Sequence, residues 1–466
     1  MPALQIPIDR GTREPIAEQI SAGLRTAIRD GRLPAGARLP SWRDLAAQLG
    51  VARGTVRAAY ETLIDEQLAV ALGAAGTHVA RRLPPQANAR TQAEPPARDP
   101  FADYPRSAGL FQMGVPAQDV FPTQVWSRIL VGAARLAASA PLDYPDPRGE
   151  PALRAAIAAS LALTRGLACN PAQIFVTTGY AASLSLAVRT LGLAGGTAWV
   201  EDPGYPTTRK VLARLGVRLA AVPVDAQGLD VAAGEAIAPG AALAVVTPGQ
   251  QAPLGVTLSP PRREALLAWS ARSDGWIVED DYLSEMQIDG RAAPSIAAAD
   301  PTARVLHIGT FSKTITPALR LGFLVVPASH AARFADEAAG QSAAPAPMAQ
   351  HAVAAFIQGG HYLRHLRRMK RLYAQRRDAL GACLAAAGVR HHAAGLAVLM
   401  QLPAGMDDVA FAREARLQGM APVPLSPWHA SPTPANAGLL LGVTNLREDQ
   451  AAAALARLRD AIARFG

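Results

Sequence analysis

Apolar residues stand four apart at Ile16, Ile20, Leu24 and Ile28, a spacing that predicts one buried face of a helix ending at Gly31. A second, shorter helix is predicted from Ser41, whose hydroxyl can cap it with Asp44 three residues on. Leu45 and Leu49 face inward and Gly50 breaks it. A third runs from about Arg53 to Glu66 and packs Val56, Tyr60 and Leu63. Leu68 to Leu72 and Thr77 to Ala80 then flank Gly73-Ala74-Ala75-Gly76, which reads as a hairpin. Helix, helix-turn-helix and hairpin, in that order, predict an α+β winged helix-turn-helix over residues 1–80.

From 81 to 109 the periodicity stops and Pro, Ala and Arg dominate, which predicts a linker. Over 110–466, short apolar runs alternate with helical segments: Ile174 to Thr178, Ala198 to Val200, Leu219 to Val222, Leu243 to Thr247, Trp276 to Glu279, Val305 to Gly309 and Leu321 to Val326. Strands of this kind, buried on both faces and separated by helices, predict an α/β domain on a largely parallel sheet. From about 350 to 466 a long basic helix opens a smaller subdomain of mixed α and β.

Composition adds limits. Half of the 466 residues are hydrophobic and 18% are charged, an ordinary globular balance. The formal charge of +9 permits an anionic partner without requiring one. Cys169 and Cys383 stand far apart in no metal or redox spacing, so neither a disulfide framework nor a metal site is expected. Met1 to Pro15 has no apolar stretch of a signal peptide, and no later run reaches a membrane span, so the expected location is cytoplasmic. Basic charge is almost all Arg; Lys occurs only at Lys210, Lys313 and Lys370.

Leu39-Pro40-Ser41-Trp42-Arg43-Asp44-Leu45-Ala46, then Leu49-Gly50-Val51-Ala52-Arg53-Gly54-Thr55-Val56 and Ala59-Tyr60, resembles the winged helix of GntR-type regulators. Arg43 opens the first helix of the pair, while Arg53, Thr55 and Arg57 lie on the first turns of the recognition helix, which enter the major groove. Arg can pair in two-pronged fashion with guanine, and Thr can meet phosphate or a thymine methyl. The resemblance assigns the hairpin tip, Gly76, Thr77 and His78, to the minor groove or backbone. Relatives usually carry Ser where Trp42 and Ala52 stand, which removes a phosphate contact and a helix cap.

Thr310-Phe311-Ser312-Lys313, ahead of Pro317-Ala318-Leu319-Arg320-Leu321-Gly322, resembles the Schiff-base lysine segment of fold-type I aminotransferases. That resemblance implies pyridoxal 5'-phosphate on Lys313, with Thr310, Ser312 and Arg320 holding its phosphate. Such cofactors need an acid opposite the ring nitrogen and a donor to the ring oxygen, and Asp280 and Tyr282 suit those roles. Thr177-Thr178-Gly179-Tyr180-Ala181 opens a helix whose N–H groups can cradle phosphate, and Tyr205, in Glu201-Asp202-Pro203-Gly204-Tyr205-Pro206, can stack on the ring. All four motifs follow strands, where open α/β sheets bind ligands. The whole order, together with Tyr144-Pro145-Asp146-Pro147-Arg148-Gly149 and Val246-Thr247-Pro248-Gly249-Gln250-Gln251, resembles the MocR/GabR subfamily of GntR regulators.

That resemblance implies a homodimer binding a double-stranded operator, with the aminotransferase-like domain sensing an amine effector or pyridoxal phosphate itself. The alternative is an active aminotransferase with an appended DNA-binding module. Leu440 stands where relatives that grip an amino-acid carboxylate place Arg, and Thr207 replaces a second Arg, so any transamination is expected to be weak. His361 and His365 lie four apart on a helix but lack a third ligand, so the expectation is a basic helix face with Arg364, Arg367, Arg368, Lys370 and Arg371.

Overall fold

The computed structural model describes residues 6–12, 14–81, 109–139, 144–283, 286–288, 293–341 and 344–465. The chain divides into two compact units, 1–104 and 105–466. Apart from Arg81 and Gly109, the expected linker lies outside the described residues.

In the first unit, helices α1 (Ile16–Arg29), α2 (Trp42–Leu49) and α3 (Arg53–Asp65) precede strands β1 (Ala69–Ala71) and β2 (Thr77–Val79), which pair antiparallel. Ile20, Leu24, Ile28, Leu45, Val56, Tyr60 and Leu63 are buried together, so the periodic faces read from the sequence form its core. Burying side chains of this size contributes roughly 1.5–3 kcal/mol each. Ser41 caps α2 by accepting from the Asp44 N–H at 3.1 Å and donating to its carboxylate at 2.6 Å. Gly50 ends α2 in the left-handed region (φ 64°), where a side chain would be strained. Ala52, at the start of α3, has no side-chain cap to offer. The Tyr60 hydroxyl donates to the Pro40 carbonyl at 2.9 Å and fixes the approach to α2.

The second unit holds β3 (Ile174–Thr177), β4 (Thr197–Asp202), β5 (Arg218–Asp225), β6 (Gly228–Leu229), β7 (Leu243–Val246), β8 (Trp276–Asp281), β9 (Val305–Thr310) and β10 (Gly322–Val325) in one sheet, in the order β3-β10-β9-β8-β7-β4-β5-β6. From β9 to β5 each neighbour is parallel, as expected; β4, β7, β8 and β9 are buried on both faces between two apolar clusters, while β5 is exposed on one side. β10 departs from the expectation. It runs antiparallel to both β3 and β9: between β9 and β10 the chain forms no crossover helix of the kind that usually joins parallel neighbours, and turns back instead. Gly322 therefore lies opposite both Thr177 and Thr310, so the start of β10 shares a sheet edge with the ends of β3 and β9.

Beyond a helix at Pro347–Gln358, the long helix His361–Ala386 leads into an antiparallel sheet of β11 (His391–Ala394), β12 (Ala397–Gln401), β13 (Val423–Pro424) and β14 (Gly438–Gly442), ordered β11-β12-β14-β13. Arg364, Arg367, Arg368 and Arg371 are exposed on the long helix. His365 is not on that face: it is buried, with Nε2 2.8 Å from the Thr314 carbonyl. Among the described residues no helix is long and apolar enough to cross a membrane.

Candidate cofactor site and DNA-contact surface

The edge of the large sheet gathers the residues singled out in the sequence. β8 alternates its carboxylates between faces, as a strand must. Glu279 and Asp281 turn to one side, where Glu279 meets His307 at 3.2 Å and Asp281 pairs with the buried Arg165 at 2.6 Å. Burial alone would raise Glu279. Hydrogen bonding and charge from His307, with bonds from Ser295 and the Ile296 N–H, outweigh it and hold the carboxyl below the ordinary carboxylate range. Asp280 turns the other way. It is buried and accepts no hydrogen bond from any described residue. Burial first, then the nearby Asp281 and Glu201 charges, push it well above the ordinary carboxylate range, against the pull of Lys313.

Lys313 sits in the connection between β9 and β10, and its Nζ donates to the Gly114 carbonyl at 3.3 Å. Burial lowers its pKa, partly offset by Asp280 and reinforced by Arg320. A Cβ on Gly114 would stand 2.8 Å from Nζ, so a side chain there would crowd the lysine. Thr310 Oγ1 accepts from the Ser312 N–H at 3.1 Å and shapes the turn. Arg320 holds a left-handed backbone (φ 51°), rare for a residue with a side chain, just before β10. Its guanidinium comes beside Gly179, at the start of helix Tyr180–Leu191. Gly322 packs against Gly179 so closely that a Cβ would lie 2.9 Å from the Gly179 Cα. The antiparallel β10 thus brings Arg320 back to the helix start that Gly179, Tyr180 and Ala181 form.

Tyr282 hydrogen-bonds Gln250, and burial raises its phenol. Tyr205 is part exposed, with ring centroids 5.8 Å from Tyr180 on one side and from Trp428 on the other. The Tyr180 hydroxyl lies 2.7 Å from Thr208 Oγ1, so its backbone rather than its phenol faces the helix start.

Three further residues line the site without having been assigned a role from sequence: Glu201, Arg209 and Trp428. Glu201 accepts from the Thr247 N–H at 3.0 Å and hydroxyl at 2.6 Å, and burial raises its pKa to about 7. Arg209 donates to the carbonyls of Gly204, Trp428, Pro427 and His429 at 2.6–3.3 Å, tying the loop that carries Trp428 to the end of β4. Glu201 stood in a quoted motif. Arg209 and Trp428 carried no signal, because their contact spans 219 positions. Leu440 is fully buried on β14 in an apolar cluster with Trp428, against which Met113, Leu254 and Tyr282 pack.

In the first unit, Arg43 and Arg53 are exposed and have no ion-pair partner among the described residues, and Thr55 is half-buried. Arg57 donates from Nε to Glu61 at 2.8 Å. The wing tip differs from expectation. The pleat turns Thr77 inward, where it is buried, and the His78 ring nitrogens lie 3.2 Å from the Gly36 and Ala75 carbonyls. Gly76 keeps an open backbone at φ 89°.

Residues 16–79 match the family of bacterial regulatory proteins of the gntR type, and residues 117–437 match aminotransferase class I and II. Along nearly its full length the chain is 35% identical to the probable rhizopine catabolism regulatory protein MocR of Rhizobium meliloti, covering 94% of this chain and 92% of that one. The chain belongs to the MocR subfamily of GntR regulators. Two other members are similar to it: the HTH-type transcriptional regulator TauR of Rhodobacter capsulatus, 34% identical over 84% of this chain and 85% of that one, and the HTH-type pyridoxine biosynthesis transcriptional regulator PdxR of Corynebacterium glutamicum, 33% identical over 80% of each. The aminotransferase-like unit of this MocR-type chain has the fold of an archaeal alanine:glyoxylate aminotransferase, with a TM-score of 0.69 at 24% identity over 77% of this chain and 91% of that one. It is also similar to the α-aminoadipate aminotransferase LysN of Thermus thermophilus, with a TM-score of 0.67 at 25% identity over 76% of this chain and 92% of that one.

Proposed function

We propose that the chain is a DNA-binding transcription regulator whose aminotransferase-like unit binds pyridoxal 5'-phosphate and uses it as a sensor. The carrying observation is Asp280, a buried carboxylate with no hydrogen-bond donor among the described residues, beside a lysine whose pKa is lowered. When bound, the cofactor supplies an aldehyde for amines and an electron-withdrawing ring. Asp280 would accept from the ring nitrogen, and Tyr282 would donate to the ring oxygen. Tyr205 would stack on the ring face. The N–H groups at Gly179, Tyr180 and Ala181, with Thr310, Ser312 and Arg320, would hold the phosphate at a helix start. Lys313, deprotonated more readily in its buried setting, would present its free amine there.

Arg43, Arg53, Thr55 and Arg57 would meet the operator through the major groove, with the Gly76 and His78 tip against the backbone. Two copies would act together, since one winged helix touches too few bases for genomic specificity. Buried Leu440 and half-buried Thr207 leave a carboxylate without a two-pronged partner at either position, which supports pyridoxal phosphate itself, rather than an amino acid, as the signal.

Operator affinity of the full-length protein should change when pyridoxal phosphate is removed and return when it is restored. Lys313→Ala should be colourless or lose cofactor on dialysis, and Asp280→Asn should weaken cofactor binding with the fold intact. Equal operator affinity with and without cofactor would end the sensor reading.

A further inference from the structure

Trp42 opens α2 and is 46% exposed, unusual for an apolar residue of this size. The Arg57 guanidinium lies over the Trp42 ring, 5.6 Å from its centroid. The Arg57 Nε is held from the side by Glu61, one helical turn on, at 2.8 Å. The guanidinium thus lies over an aromatic ring and has one edge on a carboxylate. Its two Nη groups meet no partner among the described residues, and the side chain remains 61% exposed. A free arginine samples many rotamers, and each hydrogen bond it makes must overcome that freedom. Here the freedom is spent before any ligand arrives.

We propose that Trp42 is a positioning residue for DNA readout: its ring, with Glu61, holds Arg57 so that both Nη groups face a pair of acceptors on the operator. The inference rests on the reading that α3 enters the major groove. A guanine edge and a backbone phosphate both offer such acceptors, and the two are separable by experiment.

The test uses full-length protein with cofactor and a duplex selected by the wild type from a randomised pool. Affinities are measured for that duplex, for each single base-pair change, and across a salt series, for Trp42→Ser, Trp42→Phe, Arg57→Ala and the double variant Trp42→Ser/Arg57→Ala. Arg57→Ala should weaken binding by roughly tenfold. If the acceptors are on guanine, preference flattens at one base pair per half-site; if on phosphate, all sequences weaken alike and the salt dependence becomes less steep. Trp42→Ser should show the same signature in weaker form, Trp42→Phe should largely restore wild-type binding, and the double variant should be no worse than Arg57→Ala. Melting curves that match the wild type separate these effects from misfolding. Wild-type affinity and preference in Trp42→Ser, or losses that multiply in the double variant, would overturn the proposal. Arg53→Ala is the control: if it too leaves binding unchanged, the groove reading of α3 fails and the proposal with it.

Discussion

At the scale of single residues, the site is built from carboxylates set apart by the face on which they sit. Glu279 and Asp281 are satisfied by His307, Ser295 and Arg165, whereas the Asp280 carboxyl, between them in sequence, accepts no hydrogen bond from any described residue. Glu201 is a third case, buried and hydrogen-bonded yet raised from an ordinary 4.5 to about 7. Its folded pKa lies above its unfolded value, so the folded chain holds an extra proton between those limits. Stability should fall as pH rises through that window and stay lower above it. Glu201→Gln should remove the slope, which melting temperatures from pH 4 to 8 would reveal; an unchanged slope would assign the effect to another group. Lys313, Asp280, Tyr282 and Arg320 could be singled out from sequence because each stands in a short motif beside a strand. Arg209 and Trp428 were not, since no local pattern announces a contact between a helix of the large sheet and a distant loop.

Among the elements, all seven strands expected in the large sheet are present, six of them because strands buried on both faces read as apolar runs, while β5 is exposed on one side. The direction of β10 was not legible, since burial is the same for a strand running either way. The three helices of the first unit follow their apolar periodicity closely, and the caps at Ser41 and Gly50 fall where side-chain chemistry put them. The wing was read less well. Its hairpin was visible, but alternation within a three-residue strand decides that Thr77 points inward. The missing cap at Ala52 carries a prediction. Ala52→Ser should stabilise the start of α3 by about 1 kcal/mol. Amide exchange in the first turns of α3 should slow by roughly fivefold in the full-length protein if opening there is local. Unchanged exchange would mean that the added hydroxyl does not reach those N–H groups.

For the whole molecule, the proposed function requires that ligand binding in the aminotransferase-like unit change DNA binding by the winged helix. The energy required is modest, since a tenfold change in operator affinity corresponds to about 1.4 kcal/mol of coupling. Alanine, glutamate and aspartate at millimolar concentration should leave both the visible spectrum of the cofactor-loaded protein and its operator affinity unchanged, because Leu440 is sealed in an apolar cluster. A rapid spectral change with one of them, coupled to altered DNA affinity, would mean that another residue grips the carboxylate.

The antiparallel course of β10 also bears on where the molecule can breathe. The segment carrying Lys313 is bracketed by β9 and β10, and β10 is hydrogen-bonded on both sides within the sheet. Amides there should open only in large-scale unfolding, whereas the loop around Trp428 is held to β4 chiefly by polar contacts from Arg209 and Asp202. Hydrogen exchange should accordingly find Gly322 to Val325 among the slowest amides and Trp428 to Ala430 among the faster ones. Lys313 would then be tethered next to the most persistent strand of the large sheet, while the loop of Trp428 hangs on a few polar ties that can let go one at a time.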